Sequence, residues 1–362
     1  AGRYVTPIDS IDMTEAGPGG VSSMRFTIED RAGVLGLLDT ASAVVWWDNV
    51  NNVPWFRGTA ESWAVTPWRA GVGRVLSATC DGIEQELDNP KIPSEVILNQ
   101  GFNADGLIAG VVGRFGRGLV GTPGLTVNGT QGRPVGRLGV VGGQPFQRVD
   151  LTIGPTIRES IRTIVAGSMV NGLAGTPDYV QDYEATVDFY GGVRVWNAGE
   201  QPDDYTTLVV STAGPIVPEF LTYETFPGDV VHEVYVQGAN AAGSGWFADG
   251  TGIRGPQSLL RDSTSDTPAK ALAAATSYLQ GQATKIRGSF SLTDFTPAAT
   301  VHAGGLVQIT DPVLGLAGGT YLIASIDKRF RSKGTQDWRV HFGGRPPSAA
   351  ELIRRLTRDT LS

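Results

Sequence analysis

The run AGGLVQITDPVLGLAGGTYLIASIDKRF, residues 303–330, and its continuation DWRVHFGGRPPS, residues 337–348, decide the reading of the chain. Three segments, Gly305–Asp311, Gly319–Ile326 and Asp337–Gly343, alternate apolar and polar residues or are rich in β-branched and aromatic ones, as half-buried strands do. Asp311-Pro312 with Gly315 punctuates the first gap, and Lys333-Gly334-Thr335 the second. The expectation is a small antiparallel meander. Arg345-Pro346-Pro347-Ser348 stops it, and 349–361 has the periodicity of a terminal helix.

Similar signals recur upstream. Met24–Asp30, Ala43–Asp48, Pro54–Gly58 with its continuation through Val65, and Val72–Cys80 predict five short strands, enough for a small barrel or sandwich. A helical turn is expected over 34–38 and a short helix over 81–87. Glycines crowd 101–154 among few charges; the segment lacks the G-x-x-x-x-G-K-[ST] pattern, so nucleotide binding is rejected and an insertion is expected. Beyond Gly154-Pro155, a helix from Thr156 carries Ile157, Ile161, Ile164 and Val165 on one stripe, with Arg158 and Arg162 opposite. Ala185–Tyr190 and Val193–Trp196 form a hairpin across Gly191-Gly192. Tyr205–Ser211 and Val230–Gln237 read as strands, and 238–255 as a glycine loop holding Trp246-Phe247. Thr267 caps a helix with Pro268 at its first position and Leu272, Ala275 and Leu279 on one face; Lys285–Leu292 is a further strand.

Composition narrows the function. The 362 residues include 49 glycines and 21 prolines with only 18% charged residues, which favours many turns and surfaces buried against other subunits over a metabolic enzyme. The single cysteine, Cys80, excludes an intramolecular disulfide and a cysteine-built metal site and is expected as a buried thiol. No apolar run reaches membrane-spanning length, and no signal peptide is visible, so synthesis in a cytosol is expected. The net charge of −7 is uneven: from Lys328 to Ser362 basic residues dominate and the remainder is acidic, which argues against dedicated nucleic-acid binding and leaves the basic end as a docking face or a solvated helix face.

Catalytic arrangements are missing. His232, His302 and His341 stand alone, with no H-E-x-x-H and no ligand spacing, and no G-x-S-x-G elbow occurs. Asp178, Asp182, Glu184 and Asp188 could face a sugar cleft as acid and base, but an acidic turn and strand face is the simpler reading. No cofactor, metal or catalytic residue is expected.

The meander with its Phe342-Gly343 step, proline and terminal helix resembles the carboxyl end of the tail-tip (baseplate) hub proteins of long-tailed, siphovirus-like bacteriophages. The strand SSMRFTIED (22–30), the hairpin VVWWDN…PWFRGTAES with its Phe56-Arg57-Gly58 step, and GRVLSATCDGIEQELD (73–88) resemble the same family's amino-terminal block. The resemblance is specific at the carboxyl end and weakens between.

It implies a mainly β chain with α+β parts. The domains would be a lead-in (1–21), a first tube-like antiparallel β-barrel (22–98), the glycine-rich insertion (99–153), a small helix-hairpin domain (154–204), a second tube-like barrel with a packed helix (205–344) and a basic terminal helix (345–362). Three such chains would form a pseudo-sixfold ring closing the distal end of the tail tube. The implied partners are a distal tail protein ring, the tail tube, the tape measure protein and the central fibre or tip proteins, with genomic DNA passing through the lumen. The setting is the virion, and the role is structural. A peripheral receptor-binding or fibre-attachment protein is the alternative, and a tail-associated glycan hydrolase a weaker one. Candidate interface residues are Trp246, Phe247, Arg329, Arg331, Arg345, Arg354, Arg355 and Arg358.

Overall fold

The computed structural model describes residues 8–30, 43–48, 53–67, 73–88, 97–98, 108, 111–112, 114–116, 149–150, 156–161, 183–197, 201–202, 204–226, 230–252, 256–261, 265–280, 285–296, 298, 300–330 and 335–343. The chain is mainly β. In order, the strands are β1 (Ile8–Ala16), β2 (Ser23–Asp30), β3 (Ala43–Asp48), β4 (Val53–Pro67) and β5 (Arg74–Gly82), then the short β6 (Ile97–Leu98) and β7 (Val149–Asp150). The hairpin β8 (Tyr183–Val187) and β9 (Val193–Asn197) follows, then β10 (Leu208–Ser211) and β11 (Glu219–Phe226). After β12 (Glu233–Gln237), β13 (Gly245–Ala248) and β14 (Gln257–Arg261) come the helix Pro268–Gln280 and the last four strands: β15 (Lys285–Phe295), β16 (Leu306–Asp311), β17 (Leu316–Phe330) and β18 (Gln336–Gly343).

The expected meander is present, β16–β17–β18, antiparallel throughout. Asp311 Oδ1 accepts from the amides of Val313 and Leu314 at 2.9 and 3.1 Å, shaping the first turn. Period-2 patterning explains the burial: Val307 and Ile309 on β16 and Trp338, Val340 and Phe342 on β18 all face the core. β10 adds to β16 in parallel, and β15 then β11 continue beyond β18. These six strands share one core, which includes Phe290, Leu292, Ile323 and Ile326.

The amino-terminal strands pair in the order β1-β2-β5-β4-β3 over a second core of Ile11, Met13, Met24, Phe26, Phe56 and Cys80. β4 is one strand of 15 residues where the sequence suggested two. Cys80 is buried as expected; burial, aided by Asp81, pushes its thiol up to about 11.

The two sets of strands are one sheet, not two closed barrels. β1, inside the segment read as a lead-in, pairs β2 on one side and β17 on the other, with Asp12 opposite Arg329 and Ala16 opposite Ser325. β17 is long enough to pair β16 with its first half and both β18 and β1 with its second. The strand that would have closed the second set is thereby committed to joining it to the first. β3, β10 and β11 each keep one edge without a strand partner among the described residues.

The second barrel expected over 205–344 is not one closed sheet either. β12, β13 and β14 make a separate three-stranded sheet in the order β13-β12-β14, closed on one face by the helix. Pro268 is the first helical residue, and Thr267 Oγ1 accepts from the Lys270 amide at 3.4 Å. The buried helix face is Ala271, Ala274 and Ala275 with Tyr278 and Leu279, so Leu272, expected on that face, is 54% exposed. Small alanines let the helix approach the sheet closely.

The turn at 157–161 begins with reciprocal bonds between Thr156 and Glu159, a capping box. Arg158 is buried against Asp88 at 2.7 Å rather than solvated. The expected helical turn at 34–38, most of the 99–153 insertion and the terminal helix lie outside the described residues.

Both glycines of the aromatic-glycine steps have steric reasons. Gly343 has φ +92°, and a Cβ there would meet the carbonyl oxygen of Ile286. At Gly58 a Cβ would meet the carbonyl oxygen of Asp81 and lie 2.8 Å from the buried Phe56 ring. Gly58→Ala is therefore expected to destabilise the chain by ~1–3 kcal/mol, the range for overpacking a well-filled site, read as a lowered urea midpoint with unchanged slope.

Candidate functional site: the joint between the two sets of strands

β1 presents Ile11, Met13 and Glu15 to the interior, so its alternation places a carboxylate where an apolar side chain would be expected. Its partner is Lys328 on β17. In the β1–β17 ladder Lys328 stands opposite Met13 and Glu15 opposite Ile326, which makes the two charged residues diagonal neighbours on one face. Lys328 Nζ donates to Glu15 Oε2. The other oxygen, Oε1, accepts from the Ala303 amide at 3.0 Å, and His302 Nδ1 lies 3.0 Å from it, placed to donate. Burial works against the Glu15 charge, but Lys328 and His302 outweigh it and hold the carboxyl at about 2. Burial draws the Lys328 ammonium below its ordinary value, and Glu15 offsets part of that.

The Lys328 ammonium also lies 4.5 Å from the ring centre of Trp55 and 4.8 Å from that of Trp338. Trp338 is its direct partner across the β17–β18 ladder. Trp55 comes from β4, so each set of strands contributes one wall of the cage. Phe330 continues the contact, 5.6 Å from Trp46 and 6.3 Å from Trp55.

A cavity of about 220 Å³ opens beside this pair, between β1, the β8–β9 hairpin and the 204–205 and 300–303 segments. The hairpin turn is built on Asp188, whose Oδ1 accepts from the amides of Tyr190 and Gly192 at 2.9 and 2.8 Å. Arg194 bridges Asp188 at 3.0 Å and Asp204 at 2.6 Å, with its guanidinium 5.4 Å from the Tyr205 ring centre. Burial opposes the Arg194 charge, but the Asp204 bond and the neighbouring anionic groups raise its pKa. Arg57 Nη1 donates to the Tyr190 carbonyl at 2.8 Å and ties the turn to β4.

Glu84, on the 3-10 turn Ile83–Leu87, forms another part of the wall. Ser22 Oγ accepts from the Ala16 amide at 3.1 Å and donates to Glu84 Oε1 at 2.6 Å. Glu84 Oε2 is buried without a hydrogen-bond partner. Burial pushes this carboxyl up to about 7.

The sequence-derived candidates fall elsewhere. Trp246 is 58% exposed on β13, its ring centre 5.3 Å from that of Tyr235 with the planes tilted, and Tyr235 stands opposite both Trp246 and Leu259. The three form a row across the outer face of the small sheet. Phe247 points the other way, against the helix-packed core. Arg329 is exposed and bonded to Asp12 at 2.9 Å on the rim of a shallow groove of about 660 Å³ that crosses the joint. Arg331, Arg345, Arg354, Arg355 and Arg358 lie outside the described residues. Lys328, counted from sequence with the basic end, is instead interior.

Each histidine faces a carboxylate: His302 with Glu15, His232 with Asp249 at 2.6 Å and His341 with Asp327 at 3.1 Å. Of the acidic group weighed as a sugar cleft, Asp188 is engaged by its own turn and Arg194, Glu184 lies on β8, and Asp178 and Asp182 lie outside the described residues. Among the described residues no group of three or more His, Cys, Asp or Glu is placed to hold a metal ion, and no helix is long and apolar enough to cross a membrane.

Two expected outcomes follow from the charges at the joint. Lys328→Met leaves Glu15 buried without its cation and should cost ~3–5 kcal/mol; adding Glu15→Gln to it should recover part of the loss, read as a coupling in a double-mutant urea cycle. Glu84 has a folded pKa above its unfolded one, so the folded state holds its proton longer. Stability should therefore fall as pH rises from about 4.5 to 7, by up to ~3 kcal/mol, and Glu84→Gln should flatten that slope. Glu15 acts in the opposite sense: its contribution is present above pH 4.5 and lost as pH falls towards 2.

No protein-family model matches the sequence, and a comparison with curated proteins finds no match. Solved structures do match. A 43 kDa tail protein of prophage MuSo2 from Shewanella oneidensis superposes with a TM-score of 0.64 at 14% identity, over 94% of this chain and 95% of that one. A tail protein from Neisseria meningitidis MC58 gives 0.59 at 11% identity, over 93% and 92%. Prophage tail protein gp18 from Listeria monocytogenes gives 0.56 at 9% identity, over 99% and 96%. At these identities the likeness is one of fold, and it runs the length of both chains: by fold, this chain stands with the phage tail proteins.

Proposed function

We propose that the chain is a structural hub of a phage tail tip, which closes the distal end of the tail tube as a homotrimeric, pseudo-sixfold ring. The observation that carries the reading is the joint: two sets of strands held in one sheet, with the outer edges of β3 and β11 left without strand partners among the described residues. Open sheet edges invite pairing with another chain, and a heterologous contact that closes makes a ring. Two sets of strands per chain would allow three copies to match a sixfold tube. A type VI secretion component of E. coli, c3393, described as similar in structure to the T4 tail proteins gp27 and gp5, shares the fold with a TM-score of 0.52 at 8% identity, which supports a structural role in a tail.

In this reading one ring face meets the distal tail protein and the tail tube, and the other holds the central fibre or tip proteins. The lumen holds the end of the tape measure protein and then passes the genome during ejection. The outward row of Trp246, Tyr235 and Leu259 serves as an anchor for a neighbouring tail protein, since exposed aromatic residues are frequent interface hot spots. The arginine-rich end, including Arg329, Arg331, Arg345, Arg354, Arg355 and Arg358, faces an acidic neighbour outside the lumen. The work is mechanical; the chain carries load and directs passage without catalysis.

The test is assembly mass. Multi-angle light scattering or native mass spectrometry of the purified chain, alone and with its distal tail partner, should give a species near three times the chain's 38.2 kDa. A chain that stays monomeric in both conditions would overturn the reading.

A further inference from the structure

Along the nine strands from β11 to β3, the face away from the two cores exposes large apolar side chains, among the described residues, at its two ends only. At one end, Val44 and Trp46 of β3 pack against the cores, so Val45 and Trp47, 50% and 40% exposed, point the other way. At the other end, Leu221 and Tyr223 of β11 pack inward, and Phe220, 83% exposed, borders the groove with Asp337 and Arg339. Phe220 is also strained. Its φ is +52°, a left-handed conformation that glycine and asparagine adopt and a bulky aromatic residue rarely does. It stands in a bulge, where the β11–β15 register shifts between Glu219 and Thr222. A bulge that only protected an edge strand would be expected to present a charge, not an aromatic ring turned to solvent. Backbone strain of this kind collects at clamps and contact sites.

We propose that Phe220 anchors the contact between neighbouring copies of this chain, its ring seated on Val45 and Trp47 at the far end of the next copy's sheet. The inference rests on the ring proposed above and names the side chains that join it. The pairings that lead from β11 through β15, β18, β17, β1, β2, β5 and β4 to β3 are all antiparallel. They are eight in number, so β11 and β3 run in the same direction. Rotation about an axis along the strands keeps that direction, and β11 of one copy meets β3 of the next as a parallel pair.

The registers also match in height. Followed from strand to strand, one row begins at Glu219 on β11, passes Arg339, Asp327 and Thr14, and ends at Ala43 on β3. Where that row runs on into the next copy, Phe220, one step beyond Glu219, comes level with the first exposed apolar side chain of β3, Val45. The charges agree in sign. Glu219 and Glu224 lie on β11, and Arg57 stands directly opposite Val45, its guanidinium held only by the neutral Tyr190 carbonyl among its printed bonds and by other contacts that leave it a cation. Glu61 lies past the end of the β3 pairing.

Variants of the full chain test the anchor. Asparagine tolerates a left-handed backbone, so Phe220→Asn should keep or raise the urea midpoint and still weaken assembly by at least about thirtyfold per contact, the loss that marks an interface hot spot. A side chain that served only the fold would move both readings the same way. Val45→Asp removes the seat and should dissociate the ring as well. Each variant alone should be monomeric by light scattering where the wild type is trimeric. Mixed, they keep one intact anchor and one intact seat between them and should form a one-to-one dimer. Cys80 is buried, so a short bismaleimide should link Phe220→Cys to Val45→Cys in the double variant, up to a covalent trimer, and should link neither single variant. If Phe220→Asn does not fold, Val45→Asp and the cross-link decide. A trimer undisturbed by folded Phe220→Asn, a mixture that stays monomeric, or a trimer without the cross-link overturns the anchor and leaves the ring standing. A wild-type chain monomeric throughout, with no cross-link in the double variant, overturns the ring and the anchor together.

Discussion

A carboxylate sits at an interior position of a central strand, and the rest of the architecture accommodates it. Glu15 would cost several kcal/mol to bury alone. It is tolerated because the register of β1 against β17 brings Lys328 to the diagonal position, and because the Ala303 amide and His302 occupy its second oxygen. Lys328 in turn needs somewhere to be charged inside a core, and two tryptophans from different sets of strands provide it. The pair lies at the seam, so the groups that satisfy it are drawn from both sides and hold the seam shut.

The seam determines what the molecule can offer a neighbour. Two separate barrels would have hidden their edges and could have turned against each other on a linker. One continuous sheet fixes their relative position, which the ring proposed above would require. The Trp46, Trp55 and Phe330 contacts reinforce this, because aromatic area buried across a joint resists shear in a way that a surface ion pair such as Arg329–Asp12 does not.

The sequence displayed much of this and concealed the joint. The meander was legible because β16 and β18 alternate cleanly, and the β8–β9 hairpin because a glycine pair separates two β-branched runs. β1 was not read as a strand, since Glu15 stands at the phase where an apolar residue would have completed the pattern Ile11, Met13. Lys328 was assigned to a basic surface because Arg329 and Arg331 follow it. Yet Ile326, Lys328 and Phe330 share one parity along β17, and that parity was the available signal that the lysine points inward. The partners of His302 and Lys328 lie nearly the whole chain away, so no local spacing could announce them. Trp246 and Phe247 looked like one exposed pair until the strand β13 separated them onto opposite faces.

A buried ion pair is a poor way to gain stability, since a well-packed apolar pair of the same volume is often as good or better. Its use here is explained by register. In a β ladder a slip of one residue sends every side chain to the other face. An apolar seam between β1 and β17 would tolerate such a slip or a shift by two, because Ile, Met and Val contacts are interchangeable. With Glu15 and Lys328 in place, a one-residue slip would carry Glu15 out of the cage and leave Lys328 facing Trp55 and Trp338 without a counter-ion. A shift by two in one direction would part the charges and strand both in the core; in the other it would set Glu15 directly opposite Lys328 but carry the carboxylate away from His302 and the Ala303 amide. The charges thus penalise the misregistered joints far more than they favour the correct one, and the relative setting of the two sets of strands becomes single-valued.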